Sequence, residues 1–294
     1  MSLPASFSPT VLKQLELLRI STRRQFLGSR QGAHMSLKRG HGIEFSDYRK
    51  YELGDNPRHI DWGVYARSDR LYVKRYQEEQ ALTAMITLDT SRSMFLPEDN
   101  RKWERARDIA LALSYIALME QDLVILSAPG AFVSPALSGP RAIHTASTLL
   151  NGITLAENFN FRKEILKAIA RVRLPTVGIF ISDLLMPFEE IEGIINGMRA
   201  KNLDLYVIQL LGPDDLTPLG GSGNALAVDS ETGEEIAVDF DEATLSEYKQ
   251  LLSDHNKTIK AFLQGARIPY LTTASTEKFE DFITHKLPAT GLVQ

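Results

Sequence analysis

The run Asp89-Thr90-Ser91-Arg92-Ser93, a D-x-S-x-S pattern, places one carboxylate and two hydroxyls directly after the apolar stretch Met85-Ile86-Thr87-Leu88. A short apolar run of this kind reads as a buried strand. Its oxygens then fall on a tight loop at the strand's carboxyl end, where open α/β sheets bind ligands. Such oxygens suit a hard divalent cation, Mg²⁺ or Mn²⁺. A strand-end site needs donors from a second loop, and Asp183, which closes Ile179-Phe180-Ile181-Ser182, supplies the candidate. If the two strands are neighbours, Asp89 and Asp183 face one crevice. The plainer alternative is that Asp89 and Ser91 only cap the turn that follows.

Two carboxylates beside neutral hydroxyls leave a bound cation electrophilic, with a position open to an outside carboxylate. That chemistry suits recognition. A hydrolase would also want a base or nucleophile beside the metal, and no histidine adjoins either strand end in the sequence. Metal-dependent hydrolysis of a phosphate or ester by Asp89, Asp183 and water is therefore the rival reading. His41, His59 and Asp61 match no metal-ligand or hydrolase spacing. Neither a G-x-x-x-x-G-K-[ST] phosphate loop nor a G-x-G-x-x-G fingerprint occurs, so binding of ATP in the manner of an ATPase is not expected.

The elements that would position these residues alternate from Ala81 onward. Strands are expected at 84–88, 123–127, 131–134, 177–182, 204–211 and 268–272, and helices at 101–119, 140–151, 161–171, 188–200, 242–264 and 277–286. Alternation of this kind implies a mostly parallel sheet with helices on both faces. The gap Ala128-Pro129-Gly130 suggests one antiparallel hairpin, and Ala225–Asp229 with Glu235–Asp239, around Thr232-Gly233, suggests a second inside an insertion near 213–240. In the helix at 242–264 an apolar stripe runs through Leu245, Tyr248, Leu252, Ile259 and Phe262. Upstream, 9–19 reads as a helix capped by Ser8, Ser21–Arg70 as turns and short strands, and 71–76 as a strand. The division expected is an N-terminal segment, 1–80, packed on a main domain, 81–294.

Composition narrows the class. A chain of 294 residues can bury a large core without staples. Having no cysteine, it has no disulfide, thiolate metal site or cysteine nucleophile. No apolar run approaches the length of a membrane span, and no signal peptide is evident at Met1-Ser2-Leu3-Pro4, so a cytoplasmic protein is expected. The net charge of -4 is unevenly spread: residues 1–80 carry 14 Lys and Arg against 9 Asp and Glu. Six basic residues and no acid lie from Arg19 to Arg39. That stretch reads as a solvated basic face. Without interleaved aromatics, nucleic acid is not the expected partner.

The densest pattern lies upstream. It runs G-x-G-x-E-F from Gly40 to Phe45, then Y-x-x-G-D-x-x-R-x-I-D-W from Tyr51 to Trp62, then Ala66-Arg67, Leu71-Tyr72-Val73-Lys74 and Glu78-Glu79. The segment sets Glu44, Asp47, Asp55 and Asp61 against Arg49, Arg58 and Arg67, and arginine pairs carboxylates through two parallel hydrogen bonds. Gly54-Asp55 suits a tight turn. Trp62 is large enough to anchor the segment on a core. This signature resembles the bacterial domain-of-unknown-function family fifty-eight, and the match over 38–79 is ungapped.

The D-x-S-x-S loop in turn resembles the metal-ion-dependent adhesion site of von Willebrand factor A-type domains, which members of that family carry after the signature. The resemblance implies a Rossmann-like von Willebrand A-type sheet, with Asp89, Ser91, Ser93 and Asp183 holding the metal. It also implies a threonine ligand, whereas Asn158-Phe159-Asn160-Phe161 has none and Thr154 lies earlier. It further implies partnership with a MoxR-type AAA+ ATPase. The expected role is a non-enzymatic adaptor that acts with that ATPase on a client protein.

Overall fold

The computed structural model describes residues 3–23, 44–77, 82–155, 160–170, 176–218, 224–229, 235–239 and 241–294. Outside them lie several features singled out above: the basic run beyond Arg23, Gly40 to Ile43, Glu78-Glu79, Asn158-Phe159 and Thr232-Gly233. The chain forms two compact units, one of Met1–Gln25 with Leu82–Gln294, the other of Phe26–Ala81.

In the larger unit, β3 (Thr83–Leu88), β4 (Leu123–Ala128), β7 (Thr176–Ser182), β8 (Asp204–Leu211) and β11 (Tyr270–Ala274) form one sheet in the order β11-β8-β7-β3-β4. These five pair in parallel, while β5 (Phe132–Val133) and β6 (Leu137–Ser138) pair antiparallel with β4. The hairpin expected across Ala128-Pro129-Gly130 is thus present. So is the second hairpin, β9 (Asn224–Val228) with β10 (Glu235–Asp239), which forms a separate two-stranded sheet.

Both faces of the sheet are buried, which is why its strands read as continuous apolar runs. Side chains alternate between two cores with the period of a strand. On β3, Ile86 and Leu88 enter one core and Met85 the other. On β7, Ile179 and Ile181 enter the first and Phe180 the second. The first core is roofed by α3 (Lys102–Met119) and α4 (Ala142–Asn151), the second by α5 (Phe161–Ala170), α6 (Phe188–Ala200) and α8 (Glu242–Gly265). The result is an α/β fold with a central, mostly parallel sheet flanked by helices.

Helix α3 is buried around most of its circumference. Its outer side is covered by α1 (Pro9–Leu15) and by the terminal turns Phe279–Ala289, whose Val11, Leu15, Phe282 and Leu287 enter the same core. Ser8 caps α1 through its hydroxyl, which accepts from Val11 N at 3.2 Å. The helix ends sooner than 19 because the chain turns there to pair Ile20 with Val293. Apolar burial therefore places the first residues with the sheet, whereas the sequence-based boundary put them with the signature. In α8 only Ile259 and Leu263 are fully buried; the earlier stripe residues Leu245, Tyr248 and Leu252 are half-buried, and Leu251, beside the stripe, is exposed.

The smaller unit holds the antiparallel pair β1 (Glu44–Lys50) and β2 (Tyr72–Gln77), with a 3₁₀ turn at Pro57–His59 and helix α2 (Trp62–Ser68) between them. The short α2 lay in a region read as turns and strands. Its start is set by Asp61, whose Oδ1 accepts from Gly63 N at 2.9 Å and Val64 N at 3.1 Å.

Candidate metal centre

The two loops singled out by sequence meet. β3 and β7 are adjacent parallel strands, and Asp89 and Asp183 each follow directly at their carboxyl ends. This is the switch point of the sheet: from β3 the chain proceeds to β4 on one side, then returns to β7 on the other. Open α/β sheets form their ligand crevice at such a point, because adjacent loops leave in opposite directions. Asp89 N also donates to Ile181 O at 2.8 Å, extending the strand pairing to the site itself.

Asp89 is fully buried. Its Oδ1 accepts from Ser91 N at 2.8 Å, and its Oδ2 accepts from Ser182 Oγ. The turn-capping alternative is therefore real in part, since one carboxylate oxygen does hold the turn. Ser91 Oγ and Ser93 Oγ lie 3.1 Å apart on the half-buried side of the loop. Asp183 is buried as well; its Oδ1 accepts from Leu185 N at 3.2 Å. Burial, together with the negative charge of Asp183, pushes Asp89 up to about 7, although hydrogen bonds from Ser182 and Ser91 pull the other way.

The donor chemistry fits a small hard cation. Two neighbouring oxygens of an octahedral shell with bonds of about 2.1 Å stand about 3.0 Å apart, close to the separation of the two serine hydroxyls. Among the described residues no group of three or more His, Cys, Asp or Glu is arranged to hold a metal. A cation here would rest on Asp89 and Asp183 with the hydroxyls of Ser91 and Ser93. Asn160, beside the place expected to hold a threonine, caps α5 by accepting from Lys163 N at 2.8 Å.

Several residues at this crevice were not found by sequence reasoning. Lys102, on the first turn of α3, is buried; its Nζ lies 2.9 Å from Asp183 Oδ2 and 2.9 Å from Asp215 Oδ2. Burial alone would lower the lysine, but the charges of Asp183 and Asp215 outweigh it and hold the ammonium above its ordinary range. Burial raises Asp215 despite the ammonium. The available signal was a lysine at the positive end of a helix, where the dipole repels it and only nearby acids compensate. Gln209 Nε2 donates to Asp183 O at 3.0 Å, and His255 Nε2 lies 2.7 Å from Leu184 O. Both come from distant elements, and no spacing in the sequence marks them.

The signature residues are held locally in the smaller unit. Arg49 pairs with Asp55 at 2.6 Å and with Glu52 at 3.4 Å, and Gly54 takes a positive φ of 110° in the turn between them. The backbone hydrogen bond of Glu52, then Arg49, holds Asp55 below the usual carboxylate range. Tyr48 donates its hydroxyl to Asp61 Oδ2 at 2.9 Å, and Arg67 Nε donates to Gly63 O at 3.1 Å. Glu44 and Asp47 lie on β1 opposite Gln77 and Arg75. Arg58 is exposed. Trp62 corrects its expected role as a core anchor: it is 61% exposed and meets Tyr65 edge-on, because it starts a short helix with no buried face.

Together the sheet and its switch-point crevice define an open α/β protein with an oxygen-lined site between neighbouring strand ends. The chain belongs to the family described as "Protein of unknown function DUF58", whose profile matches residues 47–258. Similar relatives are uncharacterized proteins of Mycobacterium bovis and Mycobacterium tuberculosis, 26% identical over 277 residues, 90% of this chain and 84% of theirs. Among solved structures, the conserved hypothetical protein BatB from Bacteroides thetaiotaomicron is similar at 14% identity and a TM-score of 0.41, covering 72% of this chain and 99% of its own. An aerotolerance-related membrane protein from Bacteroides fragilis is similar at 15% identity and a TM-score of 0.41, covering 71% and 100%. Among the described residues no helix is long and apolar enough to cross a membrane.

Proposed function

We propose that this chain is a non-enzymatic, metal-dependent binding module of von Willebrand A type. In this reading it acts as an adaptor between a MoxR-type AAA+ ATPase and a client protein, in the cytoplasm, where the ATP is. One observation carries the reading: Asp89, Ser91, Ser93 and Asp183 converge at the switch point of a parallel sheet, with the carboxylates buried and the two serines half-buried beside them. When bound there, Mg²⁺ or Mn²⁺ would supply a coordination position for a carboxylate of the partner.

This chain's own residues support binding over turnover. Ser182 and the Ser91 amide fix Asp89, while Leu185 N and Lys102 fix Asp183. Each oxygen of the two carboxylates thus already accepts a hydrogen bond from this chain. His255 Nε2 lies 2.7 Å from the Leu184 carbonyl oxygen. The smaller unit, with Trp62 and Leu53 exposed, is read as a partner-facing element.

The test is a pull-down of the MoxR-type ATPase from the same organism by purified wild type and Asp89→Ala, with Mg²⁺ and with EDTA. Capture by wild type in Mg²⁺, lost in EDTA and in the variant, is expected. Capture that ignores both changes removes the metal from the mechanism. No capture, with metal-stimulated phosphatase or esterase turnover, replaces the adaptor with a hydrolase.

A further inference from the structure

Lys102 is the one buried cation at the crevice among the described residues, and its placement is costly. Its side chain is 1% exposed, on the first turn of an 18-residue helix whose dipole repels positive charge there. Two carboxylates hold it: Asp183 Oδ2 at 2.9 Å and Asp215, with Oδ2 at 2.9 Å and Oδ1 at 3.2 Å. Asp215 is itself fixed. Its Oδ2 accepts from Gly212 N at 2.7 Å, and its backbone carbonyl accepts from Tyr248 Oη of α8 at 2.8 Å. The short helix α7 (Pro213–Leu216) that carries it is pinned at its start, where Asn100 Oδ1 accepts from Asp214 N at 3.0 Å.

Asp183 is therefore shared. One oxygen faces the ammonium, and the same carboxylate belongs to the donor set proposed for the metal. Resting on that metal reading, we propose that Lys102 is the resident counter-cation of the crevice and sets how tightly it binds a divalent ion. Asp215 acts through it by drawing the ammonium partly off Asp183. A unit charge a few ångströms from a divalent ion changes its affinity by about tenfold or more, even under strong screening.

A simple structural staple would behave differently. Removing a staple loosens the site, so affinity would stay level or fall. Removing a competing charge makes affinity rise.

The experiment is calorimetric titration of Mn²⁺ into the full chain as wild type, Lys102→Met and Asp215→Asn, each first shown to be folded by circular dichroism. Lys102→Met is expected to bind at least about tenfold tighter than wild type. Asp215→Asn, which leaves the ammonium to Asp183 alone and removes a nearby negative charge, is expected to bind more weakly. Level or weaker binding by folded Lys102→Met overturns the inference and leaves the metal reading standing. Binding by Lys102→Met but not by wild type supports the inference and shows that the ammonium excludes the ion from the native site. If neither binds, both readings fall. If Lys102→Met does not fold, Lys102→Gln, which removes the charge but keeps a hydrogen-bond donor for Asp183 and Asp215, decides in its place: tighter binding than wild type supports the inference, and level or weaker binding overturns it.

Discussion

Replacing Lys102 by methionine should destabilise the metal-free protein by about 3 kcal/mol. Methionine keeps most of the apolar stem, so packing on α3 changes little and the loss is mainly electrostatic. The change leaves Asp183, 1% exposed at its side chain, and Asp215, 12% exposed, without their shared ammonium. Removing one partner of a buried ion pair costs about 3–5 kcal/mol, because the charge left behind is neither paired nor hydrated. The lower end applies, since Asp183 keeps its bond from Leu185 N and Asp215 keeps its bond from Gly212 N. For a unit of this size, about 3 kcal/mol corresponds to a fall in Tm of about 6–12 °C. The assay is guanidinium unfolding and calorimetry in EDTA at pH 8, for wild type, Lys102→Met and Lys102→Met/Asp183→Asn. The double variant should recover at least half the loss, because it removes one of the stranded charges. A loss below about 1 kcal/mol in the single variant, or no recovery in the double, would refute the argument that the ammonium neutralises buried charge.

Three further outcomes follow, one at the crevice and two in the smaller unit. Asp89 has a folded pKa of about 7 against an ordinary 3.8, so between those values the native state holds a proton that the unfolded chain has released. Metal-free stability should therefore be highest below about pH 4 for this group and fall by a few kcal/mol as pH rises through 7. Urea midpoints in EDTA at pH 5 and 8 should show that fall in wild type and a smaller one in Asp89→Asn; equal slopes would contradict it. In the smaller unit, Asp61→Ala removes the cap of α2 and the acceptor of the Tyr48 hydroxyl and should cost about 1–2 kcal/mol. Arg58→Ala, at an exposed position, should stay within about 0.5 kcal/mol. Amide-exchange protection of α2 measures both, and a larger effect at Arg58 would reverse the assignment.

The sheet was legible because its strands are buried on both faces and so stand out as apolar runs of strand length between amphipathic helices. Even β8 was read to the residue, and β11 shifted by only two. The crevice was legible for a related reason. Asp89 and Asp183 are the first acids after two such runs, and adjacency at a switch point is a property of the topology. The cation among them was not legible, because Lys102 and Asp215 are 113 residues apart and meet only when α3 and α7 pack. Trp62 misled for the opposite reason. Its size suggests burial, but whether an aromatic finds a core depends on the face its helix presents, and α2 buries none. The extent of α1 was overread because Leu17 and Leu18 continue its apolar pattern, while pairing of Ile20 with Val293 ends it.

The most direct test of the central claim is calorimetric titration of Mg²⁺ and Mn²⁺ into wild type and Asp89→Ala at pH 8. The donor set of two buried carboxylates and two serine hydroxyls predicts one divalent ion bound per wild-type chain and none at that site in the variant. Equal binding by both proteins, or binding by neither, would contradict it.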